Sequence, residues 1–199
     1  MPSRPVENVH RLNILDFAKR RPSLESGRQK LQAGDALGAL HDLERAARTD
    51  AHAHTFIAML YEVGRPGVSR DLDKAEFHYC VAIDDIGAVE AWLGLARLCT
   101  MGDAEMRDYV RAQRCYRGVT EDADHSVAWL GLGRLYRDGL GVEVDQVFAE
   151  ACFRRAWKRG NRVAYHELAV MFYEQGETFK ALCKAIAWRL APWKSSRPF

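Results

Sequence analysis

The sequence lacks a long apolar run, because its hydrophobic stretches are short and are interrupted by arginine or glycine. A membrane-spanning helix needs about 20 consecutive apolar residues, so no membrane span is predicted. The opening segment, Met1 to His10, has no apolar core of the signal-peptide kind, which favours a cytoplasmic protein.

Cysteine is scarce, and no two of the five cysteines form a C-x-x-C pair. We therefore expect reduced thiols that pack as small hydrophobic groups, and no zinc site. His52 and His54 could in principle ligate a metal, but two residues apart on a helix they point in different directions. No metal site is predicted.

The motifs that carry catalysis are missing as well. His166-Glu167 does not continue as H-E-x-x-H, and Gly139-x-Gly141 is not followed by the Gly-Lys-Ser/Thr of a phosphate-binding loop. We predict no catalytic residues, no cofactor and no small-molecule substrate, and expect a chain that is not an enzyme.

The dominant positive feature is a repeated unit, best seen in residues 126–160. Ala128, Leu132 and Tyr136 share one face of a first helix, and Gly133 removes a side chain where a second helix must approach. The first helix is predicted to end at Asp138-Gly139, and Asp145 is predicted to cap the second helix. The unit is therefore a helix–loop–helix hairpin.

Copies of this unit recur every 36 to 38 residues, which is the spacing of a helical repeat. In the first helices, a small residue opens the helix and an aliphatic residue follows four positions later: Ala53 and Ile57, Ala91 and Leu95, Ala128 and Leu132, Ala164 and Leu168. In the second helices, an alanine recurs at positions 39, 75, 112, 149 and 185, and an aspartate precedes it by four residues at 35, 71, 108 and 145. Trp92, Trp129 and Tyr165 directly follow three of the opening alanines.

The run from Leu132 to Asp145, with Gly133, Tyr136 and the Gly-x-Gly-Val loop, resembles the Sel1-like repeat, a relative of the tetratricopeptide repeat. Residues 57–75 match the pattern too, whereas 95–112 and 168–188 depart from it in the loop. The resemblance implies an all-α, right-handed α-solenoid of antiparallel hairpins. It also implies a non-enzymatic adaptor or scaffold that binds another protein, frequently in bacteria.

The repeat divides the sequence into four regions. Residues 1–22 are predicted to form a basic capping segment, 23–50 a tetratricopeptide-like hairpin with Ser23 as its cap, 51–191 four Sel1-like units with the last degenerate, and 192–199 a tail containing Trp193 and Phe199. Residues 1–30 hold seven basic and three acidic side chains, and 184–199 hold four basic and none acidic. An alternative function therefore uses these basic ends on nucleic acid or an anionic membrane.

In this repeat class the first helices line the concave groove, so the resemblance places the binding surface there. The predicted groove residues are Met59, Leu93, Arg97, Leu130, Arg134, Arg137 and Tyr173. Guanidinium groups bind carboxylates in a bidentate manner, and the apolar residues could seat a hydrophobic side chain. We therefore expect an acidic, partly hydrophobic peptide or helix as the partner. The alternative reading is that the arginines form an ordinary solvated face.

Overall fold

A computed structural model of the protein describes residues 22–174 and 176, and within them the secondary structure is helical apart from an isolated bridge between Arg65 and Val68. The α-helices in chain order are α1 Pro22–Gln32, α2 Ala36–Ala47, α3 His52–Val63, α4 Leu72–Ile86, α5 Val89–Met101, α6 Tyr109–Asp122, α7 Ser126–Asp138, α8 Gln146–Lys158 and α9 Arg162–Glu174. The chain divides into two compact units, one ending at Leu98 and the other beginning at Cys99.

The four predicted aspartate caps are confirmed. Asp35, Asp71, Asp108 and Asp145 each lie immediately before a helix. The side chain of each accepts a hydrogen bond from the backbone N–H three residues later, at 2.8–3.0 Å. The cap satisfies a donor that has no partner inside the helix. The second helix of each described hairpin therefore begins where the sequence predicts.

The predicted core columns are also confirmed. The opening alanines Ala53, Ala91, Ala128 and Ala164 have no exposed surface, and neither do Ala39, Ala75, Ala112 and Ala149 of the second helices. Trp129 and Tyr165 pack against a buried cluster that includes Phe153, Leu168 and Met171. Small side chains at these positions allow neighbouring helices to approach closely.

Gly133 has the role that its place in the repeat predicts. A β-carbon at this position would overlap the ring of Phe153, which is fully buried on α8. The α7 backbone therefore lies directly on an aromatic ring. At the other end of α7, Gly139 is a left-handed C-cap, with φ of 68°. This is a conformation that glycine adopts without steric cost.

The structure differs from the sequence-based predictions at the first helix, adds a 3₁₀ turn, and leaves some predicted regions outside the described residues. The first described helix is Pro22–Gln32, so Ser23 lies within its bounds and not, as the sequence predicted, immediately before it. A 3₁₀ turn, Ala104–Met106, occupies the loop of the unit at residues 95–112, where the Gly-Val pair is missing. The basic segment before Pro22, Ala185 and the tail after residue 191 lie outside the described residues.

None of the described helices is long and apolar enough to cross a membrane. Three described cysteines, Cys99, Cys115 and Cys152, are buried. Burial raises the pKa of the Cys152 thiol to about 12, which leaves it protonated and unreactive at neutral pH.

Candidate protein-binding surface

In the first unit, Arg97 on α5 is engaged by Glu62 on α3. Its Nε donates to Glu62 Oε1 at 2.5 Å and its Nη2 to Oε2 at 2.5 Å, the paired geometry typical of guanidinium and carboxylate. The hydroxyl of Tyr79, on α4, also donates to Oε2 at 2.7 Å. Burial raises the pKa of this phenol, and the hydrogen bond to Glu62 raises it further. Glu62 is thus held by two donors from two different helices.

The second unit contains a corresponding arrangement. Glu167 on α9 is only 8% exposed, and it accepts hydrogen bonds from two arginines of α7. Arg134 donates from Nε at 2.8 Å and from Nη2 at 2.5 Å to Oε1, and Arg137 donates from Nη1 at 2.5 Å to Oε2. Arg137 also pairs with Asp138. The carboxylate and the two guanidinium groups form one cluster between first helices of adjacent repeats.

The pKa of Glu167 reflects this cluster. Burial acts to raise it, but the hydrogen bonds from Arg134 and Arg137 outweigh the burial, so the pKa of the carboxyl lies below its usual value. Glu167 is therefore ionised at neutral pH. Its one negative charge offsets one of the two positive charges that Arg134 and Arg137 were predicted to place in the groove.

The three predicted groove arginines therefore join neighbouring repeats through internal carboxylates. They differ in what they leave accessible. The side chain of Arg134 is 40% exposed and that of Arg137 only 17%. Arg137 uses Nε, Nη1 and Nη2 in its ion pairs, whereas Nη1 of Arg134 has no acceptor among the described residues. Arg134 is the better placed of these two for an external carboxylate.

The apolar members of the predicted surface are placed unequally. Met59 and Tyr173 are exposed, and Leu93 is half-buried. Leu130 is not on the surface: it is 8% exposed and belongs to the core cluster formed with α8 and α9. The prediction that Leu130 faces solvent is wrong because the neighbouring repeat packs over it. Thr55, at the equivalent position of another repeat, is also buried.

Beside Met59 the first unit contains an apolar cavity of about 340 Å³. Its walls come from α1, the start of α2, α3 and the loop after α3, and the main apolar residues are Leu31, Phe56, Met59, Leu60 and Val63. Arg65 also lines the cavity, and within the described residues its guanidinium has no carboxylate partner. Arg28 lies over the Phe56 ring, 5.6 Å from its centroid. The cavity thus combines apolar residues with an arginine in its lining.

The sequence pattern places Glu62 on the groove face, but its pairing with Arg97 was not predicted, and Tyr79 and Glu167 were not assigned to this surface. A usable signal was present: Glu62 and Arg97 are 35 positions apart, and Arg134 and Glu167 are 33 apart, each close to one repeat. Residues of opposite charge therefore occupy positions about one helical turn apart in neighbouring copies of the repeat. Reading each column separately concealed the pairing.

His54 and His78 form a further contact, between α3 and α4. Their Nδ1 atoms are 2.8 Å apart and their rings stack with centroids 5.0 Å apart. Burial lowers the pKa of His78 to about 4, and the nearby His54 lowers it as well. The described residues contain no group of three His, Cys, Asp or Glu side chains that could hold a metal ion.

Capped helix hairpins with alanine-lined contacts at a constant spacing define a helical repeat protein. The Sel1 repeat model matches residues 51–85, 125–161 and 162–188, about half of the chain. The chain belongs to the Sel1-like repeat family. Proteins built from these repeats generally mediate protein–protein interactions.

Solved structures agree with this assignment. A Sel1 repeat protein from Oxalobacter formigenes is 25% identical, with a TM-score of 0.70 over 84% of this chain and 67% of that one. A Sel1 repeat protein from Klebsiella pneumoniae is 22% identical, with a TM-score of 0.58 over 88% of each chain. A protective antigen of uropathogenic Escherichia coli with the same type of fold is 19% identical, with a TM-score of 0.50 over 87% of this chain and 45% of that one. Among curated protein sequences no match is found.

Proposed function

We propose that the protein is a non-enzymatic adaptor that binds an acidic, partly hydrophobic peptide or helix of a partner protein on its first helices. The observation that carries the proposal is the apolar cavity beside Met59 with Arg65 in its lining. A pocket of this kind seats a buried anchor side chain, which commonly supplies most of the energy of a protein interface. An acidic residue next to the anchor would meet Arg65.

The ion pairs of the arginines support a positioning role. Glu62 and Glu167 fix the orientation of Arg97 and Arg134, whose side chains remain about two-fifths exposed. A guanidinium group has five N–H donors, so the Nη1 edge of Arg134 can still bind a partner carboxylate. Because the orientation is fixed before binding, little side-chain entropy is lost when the partner arrives. Tyr173, 68% exposed on α9, adds a large amphipathic side chain in the second unit.

The test is affinity capture from a lysate of the source organism, with quantitative mass spectrometry of the retained proteins. The informative variant is Met59→Asp, which places a carboxylate in the cavity and repels an acidic partner. Met101→Asp is the matched control, because Met101 is 69% exposed and does not line the cavity. Loss of a well-packed anchor costs about 2 kcal/mol or more, so retention of the true partner should fall about thirtyfold.

A protein retained by the wild type and by Met101→Asp, but lost with Met59→Asp, supports the proposal. Equal retention by the wild type and both variants would show that the partner does not use this cavity. Retention of nucleic acid or lipid alone, released by salt, would instead favour a function of the basic ends.

A further inference from the structure

The second unit contains a separate cleft of about 610 Å³ between α6 and α8, with α7 at its base; we call it the α6–α8 cleft. Trp129, Leu132 and Tyr136 of α7 form the floor, and Phe148 and Arg155 of α8 form one wall. Leu132 is buried, whereas Phe148 is 38% exposed. None of these residues belongs to the surface proposed above.

Two hydrogen-bond donors face this cleft without an acceptor among the described residues. The guanidinium of Arg155 lies 4.6 Å from the centroid of the Trp129 ring and makes no ion pair there. The hydroxyl of Tyr136 accepts a hydrogen bond from Gln113 at 2.9 Å, and its own proton has no described acceptor. A hydroxyl can accept and donate at the same time, so the Tyr136 proton remains available to a ligand.

The charged residues that line the cleft, Arg117, Glu121, Asp124 and Arg155, carry no net charge together. Arg155 is the one among them that makes no ion pair with a described residue, because Asp124 is paired with Arg159, which lies outside the lining. Arg117 pairs loosely with Glu121 at 3.7 Å, and Arg159 forms a close ion pair with Asp124. The hydrogen bond from Trp129 Nε1 lowers the pKa of Asp124, and the charges of Arg159 and Arg155 lower it further. Asp124 is therefore ionised and already held by two donors. The charge of Arg155 remains to attract one external carboxylate.

The spacing of the two donors limits the shape of the ligand. Trp129 and Tyr136 are seven residues apart on α7, which places the two ends of the floor about 10 Å apart. Phe148 stacks edge-on against Tyr136 at 4.5 Å, so Arg155 lies toward the Trp129 end. Three residues of an extended peptide cover about 10 Å from the first backbone nitrogen to the last carbonyl, and the first and third side chains start about 7 Å apart. These two side chains point to the same side.

We propose that the α6–α8 cleft binds an extended segment of a partner protein with an acidic residue followed two positions later by an apolar residue. The carboxylate binds Arg155, the apolar side chain packs on Phe148 and the floor, and a backbone carbonyl near the end of the segment accepts from Tyr136. The cleft is a second docking site, independent of the cavity beside Met59. A chain with two such sites can hold two segments at once.

The experiment is a titration of the ¹⁵N-labelled full chain with the N-acetylated, C-amidated peptide Asp-Ala-Phe-Ala, followed by NMR at the Trp129 indole N–H signal. The control peptide is Asn-Ala-Phe-Ala. A hydrogen bond to a charged group contributes about 1.5–3 kcal/mol, so the asparagine peptide should bind at least about tenfold more weakly. Arg155→Gln should reduce the affinity for the aspartate peptide by a similar factor, and Tyr136→Phe by about fivefold, as for a neutral hydrogen bond.

Arg154→Gln is the matched control, because Arg154 neighbours Arg155 on α8, carries the same charge and pairs with Glu150 outside the cleft. Its affinity for the aspartate peptide should equal that of the wild type. At 10 mM, the peptide would nearly saturate a site with a Kd of about 1 mM. Absence of any shift of the Trp129 signal at this concentration overturns the proposal. Equal losses with Arg154→Gln and Arg155→Gln also overturn it, since they would show attraction by general charge.

Discussion

Glu167→Gln is the substitution that most directly tests how the repeats of the second unit are held together. It preserves the size of a side chain that is 8% exposed, but it removes the charge that faces Arg134 and Arg137. Breaking a buried ion pair typically costs 3–5 kcal/mol. Because Arg134 is 40% exposed and can turn to water, we expect a smaller loss, about 2–3 kcal/mol of unfolding free energy.

Thermal and urea unfolding followed by circular dichroism measure this loss. For a chain of this size, about 2–3 kcal/mol corresponds to a melting temperature lower by about 5–10 °C. Glu174→Gln is the control, because Glu174 is exposed on the same helix. A surface change of this kind should alter the free energy by less than about 0.5 kcal/mol.

The pH dependence supplies a second readout of the same cluster. The folded pKa of Glu167 lies below the unfolded one, so its contribution is complete above the unfolded pKa and is lost as the pH falls through the folded pKa. The wild type should therefore lose more stability than Glu167→Gln on acidification below about pH 4.5, near the ordinary carboxyl pKa. Equal melting temperatures for Glu167→Gln and the wild type at neutral pH would refute the role given to the cluster.

Three further substitutions test the packing, a helix cap and the histidine contact. Gly133→Ala should cost about 1–3 kcal/mol of unfolding free energy because its methyl group overlaps the Phe153 ring. Gly118→Ala is the control: it has open space around it and should stabilise α6 by about 0.5–1 kcal/mol. Unfolding curves that rank the two variants the other way would contradict the packing. Asp145→Ala should cost about 1 kcal/mol by removing the cap of α8, a loss that urea unfolding measures and that Asp145→Asn should largely avoid. Because the pKa of His78 is lowered to about 4, the unfolded chain takes up a proton as the pH falls from about 6.5 to 4, whereas the folded chain does not. The free energy of unfolding should therefore decrease by at most about 3 kcal/mol as the pH falls through that window. An unchanged pH profile in His78→Gln would count against the buried histidine.

The fold was largely predictable because each hairpin carries its own signals. The aspartate caps and the buried alanines depend on contacts that lie within one hairpin or between adjacent ones, and these recur at a constant spacing. Gly133 could be assigned to a close helix contact for the same reason. Local rules of helix capping and packing were therefore sufficient for these features.

The surface was harder to predict, since it depends on pairs of residues about one repeat apart. Arg97 and Arg134 were correctly placed on first helices, but their pairing with Glu62 and Glu167 was not predicted. Leu130 was expected in solvent because a column of one helix does not reveal how far the next hairpin reaches over it. The α6–α8 cleft has no sequence signature, because it combines residues of three helices whose side chains meet only after packing.

The most direct test of the proposed adaptor function is hydrogen–deuterium exchange of the chain with and without the captured partner. The proposal predicts that binding slows exchange in α3 around Met59 and in the loop that contains Arg65, and that Met59→Asp abolishes this protection while Met101→Asp retains it. Protection that leaves α3 and its loop unchanged, with the partner fully bound, would contradict the account.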